Sequence, residues 1–530
     1  RPPRSTLFPY TTLFRSFLHG TLILVGAGFV TKVLGFVYRI ALSRIIGDEG
    51  MGLFQMAFPI LIFAIGMTTA GLPVAISKLI SEAEAKGKET GVRSILLVSI
   101  LIVTCTSILF TGLMIFLAPI IAQTLLTDER AIYPLMGIAP IIPIVAVSSI
   151  FRGYFQGRQN MQPYAIAQII EQSVRIFTVL LLAIYLLPLG IEYAAAGAMI
   201  GMVIGEGASL YFLLRSYRRD PRRPILRTGD GIQGFGTSLR RLLRIAVPVT
   251  ASRIVGSLTY AIEPIVVAQS LAIAGIATQA STALYGQLEG MAIPLVFFPA
   301  FITYALSVTL VPAISEAAAQ NKQRLVEHRL GQAIRLSFIL GGPCATIMFV
   351  LAEPLSLLLY NHIEVARIIK IMAPFAIFLY LQGPLAAVLQ GLDQAGEAMR
   401  NSIFGSILKI ILIFILGSLP HLGIDGVALA MNCGIVIVTV LHFLSLTRYL
   451  PFTFNGRNII KWIIATGTMG ITAYWISSYQ GLPLLQQVIL ATFTSGAVYL
   501  ILILLLALIR KEDVSRIPYI GRWFAYFLPQ

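Results

Sequence analysis

The sequence has little charge and little cysteine for its length. Only 12% of its 530 residues are Asp, Glu, Lys or Arg, whereas 57% are hydrophobic and the mean hydropathy is +0.85. So small a polar fraction cannot coat a soluble globule of this size, which excludes an ordinary water-soluble protein. The three cysteines stand singly, without CxxC or metal-ligand spacing, which excludes a zinc site of the usual kind. Lipid is therefore the expected solvent of this chain.

The sequence also lacks the motifs of nucleotide-driven and metal-dependent chemistry. It contains no GxxxxGK[ST] phosphate loop and no HxxxH or HExxH arrangement. The loops on the predicted outer side are short, the longest covering residues 353–367, and leave no room for a catalytic domain. We therefore predict a protein that is not an enzyme and needs no cofactor and no metal. Its energy would come from an ion gradient, the membrane potential or a partner.

Long apolar segments dominate the chain. A helix needs about 20 apolar residues to cross a hydrocarbon core roughly 30 Å thick. Fourteen segments meet this length, which predicts an all-α polytopic membrane protein. Their approximate bounds are 18–44, 53–77, 95–124, 131–151, 164–187, 193–214, 245–271, 280–312, 333–352, 368–390, 401–419, 425–447, 459–478 and 483–509.

Lys and Arg are distributed unevenly between the two sides of these segments. When residues within two positions of a segment end are counted with the adjoining gap, 30 of the 39 fall in alternate gaps, four in the intervening gaps and five inside the segments. Because translocated loops lose Lys and Arg, the enriched side is the cytoplasm, and an even number of spans places both termini there. The net charge of +16 is then explained by this bias and by anionic membrane lipids rather than by nucleic acid.

The chain contains an internal duplication. A shift of 234 residues aligns ISEAEAKGK at 80–88 with ISEAAAQNK at 314–322. Each copy holds six spans, so both enter the membrane in the same direction, related by an axis along the membrane normal. The expected organisation is a non-native leader at 1–16, an N-terminal six-helix lobe at 17–214, a basic cytoplasmic linker at 215–244 with an amphipathic run at 238–244, a C-terminal six-helix lobe at 245–447, and two extra helices with an interfacial tail at 448–530.

Nine Lys, Arg, Asp or Glu residues fall within the predicted spans and more than two positions from either end. They are Lys32, Arg39, Arg175, Arg253 and Lys409, with Glu171, Glu206, Glu263 and Glu289. A charged residue costs about 3 kcal/mol at mid-bilayer, so nine of them in lipid would cost on the order of 25 kcal/mol. We therefore expect these side chains to face the protein interior or a water-filled cavity.

The cations are the strongest indication of a site. The shift of 234 pairs Arg175 with Lys409. Before the aligned blocks the shift is 221, which pairs Lys32 with Arg253, and Arg39 shares a helix face with Lys32. A pseudo-two-fold axis would gather these pairs around one centre. This predicts a cationic cavity that binds an anionic headgroup, with phosphate as the expected group.

The acids allow two interpretations. Glu171, Glu206, Glu263 and Glu289 are candidates for ion or proton coupling, or for internal ion pairs. Glu171 precedes Arg175 by four residues, the favourable order for a structural pair on one helix. Glu263-Pro264 predicts a helix break, which transporters use to turn backbone polar groups toward a cavity. A proline kink beside a satisfied buried acid is the alternative.

Two stretches carry a family resemblance. GTLILVGAGFVTKVLGFVYRIALSRIIGDEGMGLF at 20–54 and AGLPVAISKLISEA at 70–83, with the six-plus-six duplication and two extra helices, resemble the multidrug/oligosaccharidyl-lipid/polysaccharide (MOP) exporter superfamily. Within it, the chain resembles the polysaccharide-transport branch and its stage V sporulation protein B-like members. Related lipid II flippases begin with a Ser-Arg-x-Leu-Gly-Phe-Val-Arg-Asp pattern. Residues 31–37 match this pattern in kind, whereas Tyr38 and Arg39 occupy the Arg-Asp places.

The resemblance implies a flippase in the bacterial cytoplasmic membrane. Such a protein translocates a polyprenyl-pyrophosphate-linked glycan or peptidoglycan precursor, here by alternating access and for the spore cortex or cell-wall polysaccharide. Its expected partners are the anionic glycolipid substrate, anionic membrane lipids and cell-wall synthesis proteins. Two rival hypotheses remain: a cation-coupled multidrug exporter with an acid-dominated cavity, and a sporulation scaffold that transports nothing.

Overall fold

The computed structural model describes the backbone of residues 8–508 apart from 70, 88, 222, 225–234, 451–455 and 480, and the side chains of the same residues apart from 8–25, 89, 248, 251–253 and 255. Nearly all of this part is helical and it contains no strand, which confirms the all-α class. Residues 1–7 of the predicted leader and 509–530 of the predicted tail lie outside it. The α-helices are α1 Phe8–Thr69, α2 Leu72–Ala85, α3 Glu89–Ile120, α4 Ile132–Ile138, α5 Ile141–Gly157, α6 Gln162–Leu186, α7 Ile191–Arg219, α8 Phe235–Ile273, α9 Thr278–Tyr285, α10 Ile293–Phe297, α11 Ala300–Ala319, α12 Gln323–Val350, α13 Ala352–Tyr360, α14 Val365–Met372, α15 Ala376–Gly391, α16 Ala395–Gly417, α17 Ile424–Thr447, α18 Gly456–Ser477 and α19 Leu484–Leu505.

The membrane-spanning character of the chain is confirmed. Thirteen segments of the described residues are long and apolar enough to cross a bilayer. The first, Gly26–Ala85, covers 60 residues and includes most of the first predicted span and all of the second. A straight helix of this length would extend for about 90 Å, three times the hydrocarbon thickness, but α1 is interrupted at Gly47, where φ is 67° and ψ is −171°, and α2 begins at Leu72. The count of fourteen spans stays a prediction.

The helices form two compact units. The first runs to Ala272 and includes Ile276–Gly286, so that it contains α1 to α9. The second comprises Ile273–Gly275 and the residues from Gln287 onward, and contains α10 to α19. The boundaries predicted for the two six-helix lobes stay a prediction.

The start of α8 packs within the first unit. Leu242 is fully buried in the same apolar cluster as α2 and α5, while Arg241 forms an ion pair with Glu82 at 2.6 Å. The hydroxyl of Ser94 in α3 donates to that of Ser238 at 2.9 Å. The amphipathic run at 238–244 therefore buries an apolar face against protein and keeps its arginines exposed.

Of the two interpretations of Glu263-Pro264, the helix break is wrong, because both residues lie inside α8, which continues to Ile273. The buried acid of the alternative is present, since Glu263 is 3% exposed. Proline removes one backbone donor, but membrane helices tolerate this because neighbouring groups satisfy the freed carbonyl. Irregular backbone lies instead at Gly47 in α1 and in the π-helical segments Ile121–Leu125 and Gly286–Ala292.

In the second unit, the two extra helices pack on α12. The indole Nε1 of Trp462 in α18 donates to the carbonyl of Phe338 at 2.9 Å. The hydroxyl of Tyr499 in α19 donates to the carbonyl of Ile339 at 3.0 Å. Each aromatic ring thus buries its apolar body while its polar group is satisfied.

Close approach of α1 and α9 in the first unit depends on Gly52. A Cβ atom at this position would lie 1.9 Å from the carbonyl oxygen of Thr282. We expect Gly52→Ala to lower the free energy of unfolding by about 1–3 kcal/mol, because two backbones would have to separate. The melting temperature of the purified protein in detergent measures this effect.

Gly207→Ala in α7 is the matched control for Gly52→Ala. A Cβ at Gly207 would meet no atom within 4 Å, so this variant should have the same melting temperature as the unaltered protein. Equal melting temperatures for both variants would contradict the close contact at Gly52.

Candidate functional site

Four charged side chains form one network in the first unit. Arg152 on α5 donates through Nη2 to Glu206 Oε1 on α7 at 2.6 Å, and to Glu171 Oε2 on α6 at 3.3 Å. Arg175, one turn after Glu171, donates through Nη2 to Glu171 Oε1. Two guanidinium groups and two carboxylates make the network formally neutral. The i, i+4 pair expected from the spacing of Glu171 and Arg175 is present.

The network is largely removed from the protein surface. The side chain of Glu206 is 4% exposed, and those of Glu171, Arg175 and Arg152 are 14%, 18% and 21% exposed. Charges at this depth require partners, since the desolvation of an unpaired ion costs several kcal/mol. Gly205 brings α6 and α7 together here, because a Cβ on it would lie 2.8 Å from the Cβ of Arg175.

Three donors of this region remain available. The Nε atoms of Arg152 and Arg175 and the amide Nε2 of Gln172 are buried and donate to no atom of the described residues. Gln172 Nε2 lies 3.6 Å from the position that a Cβ would take at Gly35 in α1. The network therefore adjoins the part of α1 that lies between Lys32 and Arg39.

Arg152 is the functional candidate that sequence reasoning missed. It is absent from the nine intramembrane charges because the predicted fourth span ends at residue 151, whereas α5 continues to Gly157. The apolar and aromatic residues at 153–155 directly after it were the available signal. With Arg152 added, the set of intramembrane charges holds six cations and four acids.

The other predicted residues of the first unit do not join this network. Lys32 is exposed and Arg39 is half-buried, and neither forms an ion pair with the described residues. Glu263 is buried at 3% exposure in α8. The side chain of Arg253 lies outside the described residues, although its backbone is part of α8.

In the second unit, Lys409 repeats the local setting of Arg175. Lys409 is half-buried on α16, and a Cβ at Gly434 of α17 would lie 2.9 Å from the Cβ of Lys409. Each unit thus packs its repeat-related cation against a glycine of the following helix. Glu289 is 8% exposed within the π-helical segment. Convergence of the repeat-related cations on one cavity stays a prediction.

A second charged cluster of the first unit lies in the loop before α4. Asp128 accepts hydrogen bonds from Arg130 Nε at 3.0 Å, Arg130 Nη2 at 2.8 Å and Thr282 Oγ1 at 2.7 Å. Arg130 Nη1 also donates to Glu49 Oε1 at 2.5 Å. Burial alone would raise the pKa of Asp128, but the hydrogen bonds from Arg130 and Thr282 outweigh burial and hold the pKa below 3.8.

This depressed pKa predicts a pH-dependent contribution of Asp128 to stability. We expect Asp128→Asn to lower the free energy of unfolding by about 1–3 kcal/mol at neutral pH, because charge-assisted hydrogen bonds are lost. The difference from the unaltered protein should shrink as the pH falls below 3.8, since the carboxylate stabilises the fold only while it is ionised. Melting temperatures measured between pH 7 and pH 3 test this.

Glu129→Gln is the control for Asp128→Asn. Glu129 is the exposed neighbour of Asp128, so its neutralisation should leave the pH profile of the melting temperature unchanged. A stability difference between the unaltered protein and Asp128→Asn that did not vary with pH would contradict the assignment.

Comparison with known proteins gives matches along nearly the whole chain. Residues 17–318 match the family described as polysaccharide biosynthesis protein, and residues 288–415 match the family MatE. Stage V sporulation protein B of Bacillus subtilis (strain 168) is 46% identical over 96% of this chain and 99% of its own length. Lipid II flippase MurJ of the same organism is 25% identical over 94% of this chain and 97% of its own length.

A solved structure shares the fold. The lipid II flippase MurJ in an inward closed conformation superposes with a TM-score of 0.69 at 16% identity, covering 91% of this chain and 98% of that chain. The family match extends over more than half of the sequence, and the 46% identical relative is matched over almost its whole length. The chain therefore belongs to the polysaccharide biosynthesis protein family of the MOP exporter superfamily, as the resemblance in its sequence indicated.

Proposed function

We propose that the protein is a flippase for a polyprenyl-pyrophosphate-linked glycan or peptidoglycan precursor. It would work by alternating access in the bacterial cytoplasmic membrane, with both termini in the cytoplasm, and would supply the spore cortex or cell-wall polysaccharide. Similarity to stage V sporulation protein B and to a lipid II flippase supports this proposal. The barrier to overcome is the transfer of a charged, hydrated headgroup through hydrocarbon, while the polyprenyl tail remains in lipid.

The observation that carries the proposal is the exposed side chain of Lys32 within a candidate membrane span. Lys32 lies in Gly26–Ala85 and forms no ion pair with the residues that the structure describes. An ammonium group facing lipid would cost about 3 kcal/mol, so a water-filled cavity is the favourable surrounding. A cation in such a cavity attracts an anionic ligand, and lysine is a common binder of phosphate.

The remaining cations complete the proposed binding set. Arg175 and Lys409 hold equivalent positions in the two repeats, each against a glycine of the next helix. Arg39 and Arg253 are proposed to join them and Lys32 around the headgroup. Of the acids, Glu171 and Glu206 belong to the ion-pair network, and Glu263 and Glu289 are proposed for ion or proton coupling.

A headgroup-flipping assay in proteoliposomes tests the proposal. Fluorescently labelled lipid II in the inner leaflet should become accessible to a membrane-impermeant quencher faster with the protein than in empty liposomes. Phosphatidylcholine with the same label should show no such acceleration. A lack of protein-dependent translocation for lipid II and for every other polyprenyl-linked glycan tried would refute the proposal.

The MatE match at residues 288–415 favours a second candidate, a cation-coupled multidrug exporter. Such a protein needs an acid-dominated cavity, because its substrates are cationic. The excess of cations over acids in the spans, which Arg152 increases, argues against it. Efflux of ethidium from proteoliposomes driven by a proton or sodium gradient, without lipid II flipping, would establish this alternative.

A further inference from the structure

We propose that Glu171 is an internal substitute for the phosphate of the substrate. In the resting protein the Glu171 carboxylate is bonded to Arg175. An arriving anionic headgroup displaces this carboxylate from Arg175, and the released carboxylate then bonds to Arg152. This counter-ion exchange rests on the proposed function and deepens it. It assigns Arg175 to substrate binding and makes Arg152, which the sequence did not indicate, a positioning residue.

The first step of the argument is the position of Glu171 between two guanidinium groups. Its Oε1 accepts from Arg175 and its Oε2 from Arg152 at 3.3 Å. The second contact is longer than the 2.6 Å bond that Arg152 makes with Glu206. It can therefore shorten when the headgroup replaces Glu171 on Arg175. Loss of one arginine therefore leaves the Glu171 carboxylate with another already in contact.

The two arginines differ in how firmly they are held. Arg152 is anchored by Glu206 and lies over the ring of Tyr164, with Cζ 5.5 Å from the ring centre. The guanidinium of Arg175 bonds only to Glu171 among the described residues. Arg175 is thus the member whose partner can be replaced without breaking other contacts of the network.

The exchange keeps every charged group of the network in contact with one of opposite sign. With Glu171 on Arg175, the two cations balance the two carboxylates. After displacement, phosphate would pair with Arg175, while Glu171 and Glu206 would share Arg152, so the network would carry the net negative charge of the bound phosphate. Lys32 and Arg39 of the proposed binding set would offset that charge, because an uncompensated buried charge is the largest penalty in breaking such pairs. The guanidinium fork binds carboxylate and phosphate in the same two-pronged geometry, so one anion can replace the other.

Unused donors provide contacts for the incoming group. The Nε atoms of both arginines and the amide of Gln172 donate to no atom within the described part of the chain. The side chains of Arg175 and Arg152 are 18% and 21% exposed, compared with 4% for Glu206, so an anion can approach either guanidinium. Arg152 is already bonded to Glu206 at 2.6 Å, which leaves Arg175 as the cation that can exchange its partner. Phosphate has more acceptor oxygens than a carboxylate and can engage these additional N–H groups.

Binding of farnesyl pyrophosphate, a soluble polyprenyl pyrophosphate, to the full-length protein in nanodiscs tests the exchange. Glu171→Gln removes the competing carboxylate and should tighten the dissociation constant about tenfold. Arg175→Gln should weaken binding by at least about tenfold. A purely structural network predicts loss of affinity for both variants, so the opposite signs are the diagnostic result.

Glu82→Gln is the matched control. It removes the same charge from an ion pair of the first unit that shares no residue with this network, Glu82 with Arg241, and should change the affinity by no more than about twofold. Farnesol, which has no phosphate, should bind equally to all variants. In the flipping assay, Glu171→Gln should lower both KM and kcat, because the headgroup binds more tightly and leaves more slowly.

The outcomes separate this inference from the proposed function. If Arg175→Gln abolishes binding and Glu171→Gln fails to tighten it, the exchange is overturned and the flippase proposal remains. Equal tightening for farnesol would also overturn the exchange, since the effect would then not be ionic. If neither Arg175→Gln nor Lys32→Glu weakens binding of farnesyl pyrophosphate, the proposed cationic binding set fails as well.

Discussion

Charge reversal of Lys32 and Arg253 to glutamate is expected to abolish headgroup translocation, with a loss of at least about 100-fold in rate. Each substitution would replace a cation by an anion at repeat-related positions proposed to hold phosphate. Repulsion between like charges at close range costs several kcal/mol, enough for this loss. Because the Lys32 side chain is exposed, folded protein should still reach the membrane. The rate of lipid II flipping in proteoliposomes measures the effect.

A double variant with the same change of charge elsewhere is the control for this reversal. Lys86→Glu with Lys322→Glu alters exposed lysines in loops of the first and second repeat. This variant should flip lipid II at the unaltered rate, and both double variants should have similar melting temperatures. Full activity of the Lys32 and Arg253 variant would remove the basis of the proposed binding set.

Removal of Arg152 is expected to have the largest effect on stability. Glu206 is 3% exposed, and Arg152→Ala would remove the guanidinium that donates to it at 2.6 Å. An uncompensated buried charge destabilises a protein by about 3–5 kcal/mol, so most of the variant should fail to accumulate in the membrane. The yield of monodisperse protein and its melting temperature in detergent provide the measurement.

Two further variants separate charge from packing at Arg152. Arg152→Gln combined with Glu206→Gln removes one charge of each sign and should recover most of the lost stability. Arg241→Ala breaks a pair of the same 2.6 Å length whose arginine is 52% exposed, and should cost about 0.2–1 kcal/mol. If Arg152→Ala and Arg241→Ala melted at the same temperature, the buried pair would not have the proposed importance.

Several features of this protein follow from short-range patterns in its sequence. The apolar segments predict an all-α membrane protein, and the described helices confirm it. The ion pair of Glu171 with Arg175 was predictable because residues four apart lie on one helix face. The resemblance at 20–54 and 70–83 indicated the superfamily to which the chain belongs.

Other features depend on contacts between distant helices. The bond of Arg152 with Glu206 joins residues 54 positions apart, and α6 and α7 meet closely beside it because residue 205 is a glycine. Glu206, a candidate for coupling in the sequence, is thereby neutralised by a residue that the predicted spans left in a loop. Helix α8 likewise continues through Pro264, although the local sequence predicted a break there.

The difference has a physical cause. The free energy of moving a segment into lipid is a sum over that segment's own residues, so composition and charge bias alone establish the membrane class. An ion pair between helices depends on separations of a few ångströms that are set by interhelical packing, and no local pattern encodes them. Local residues thus determine which charges enter the membrane, and the packed helices decide which of them neutralise each other.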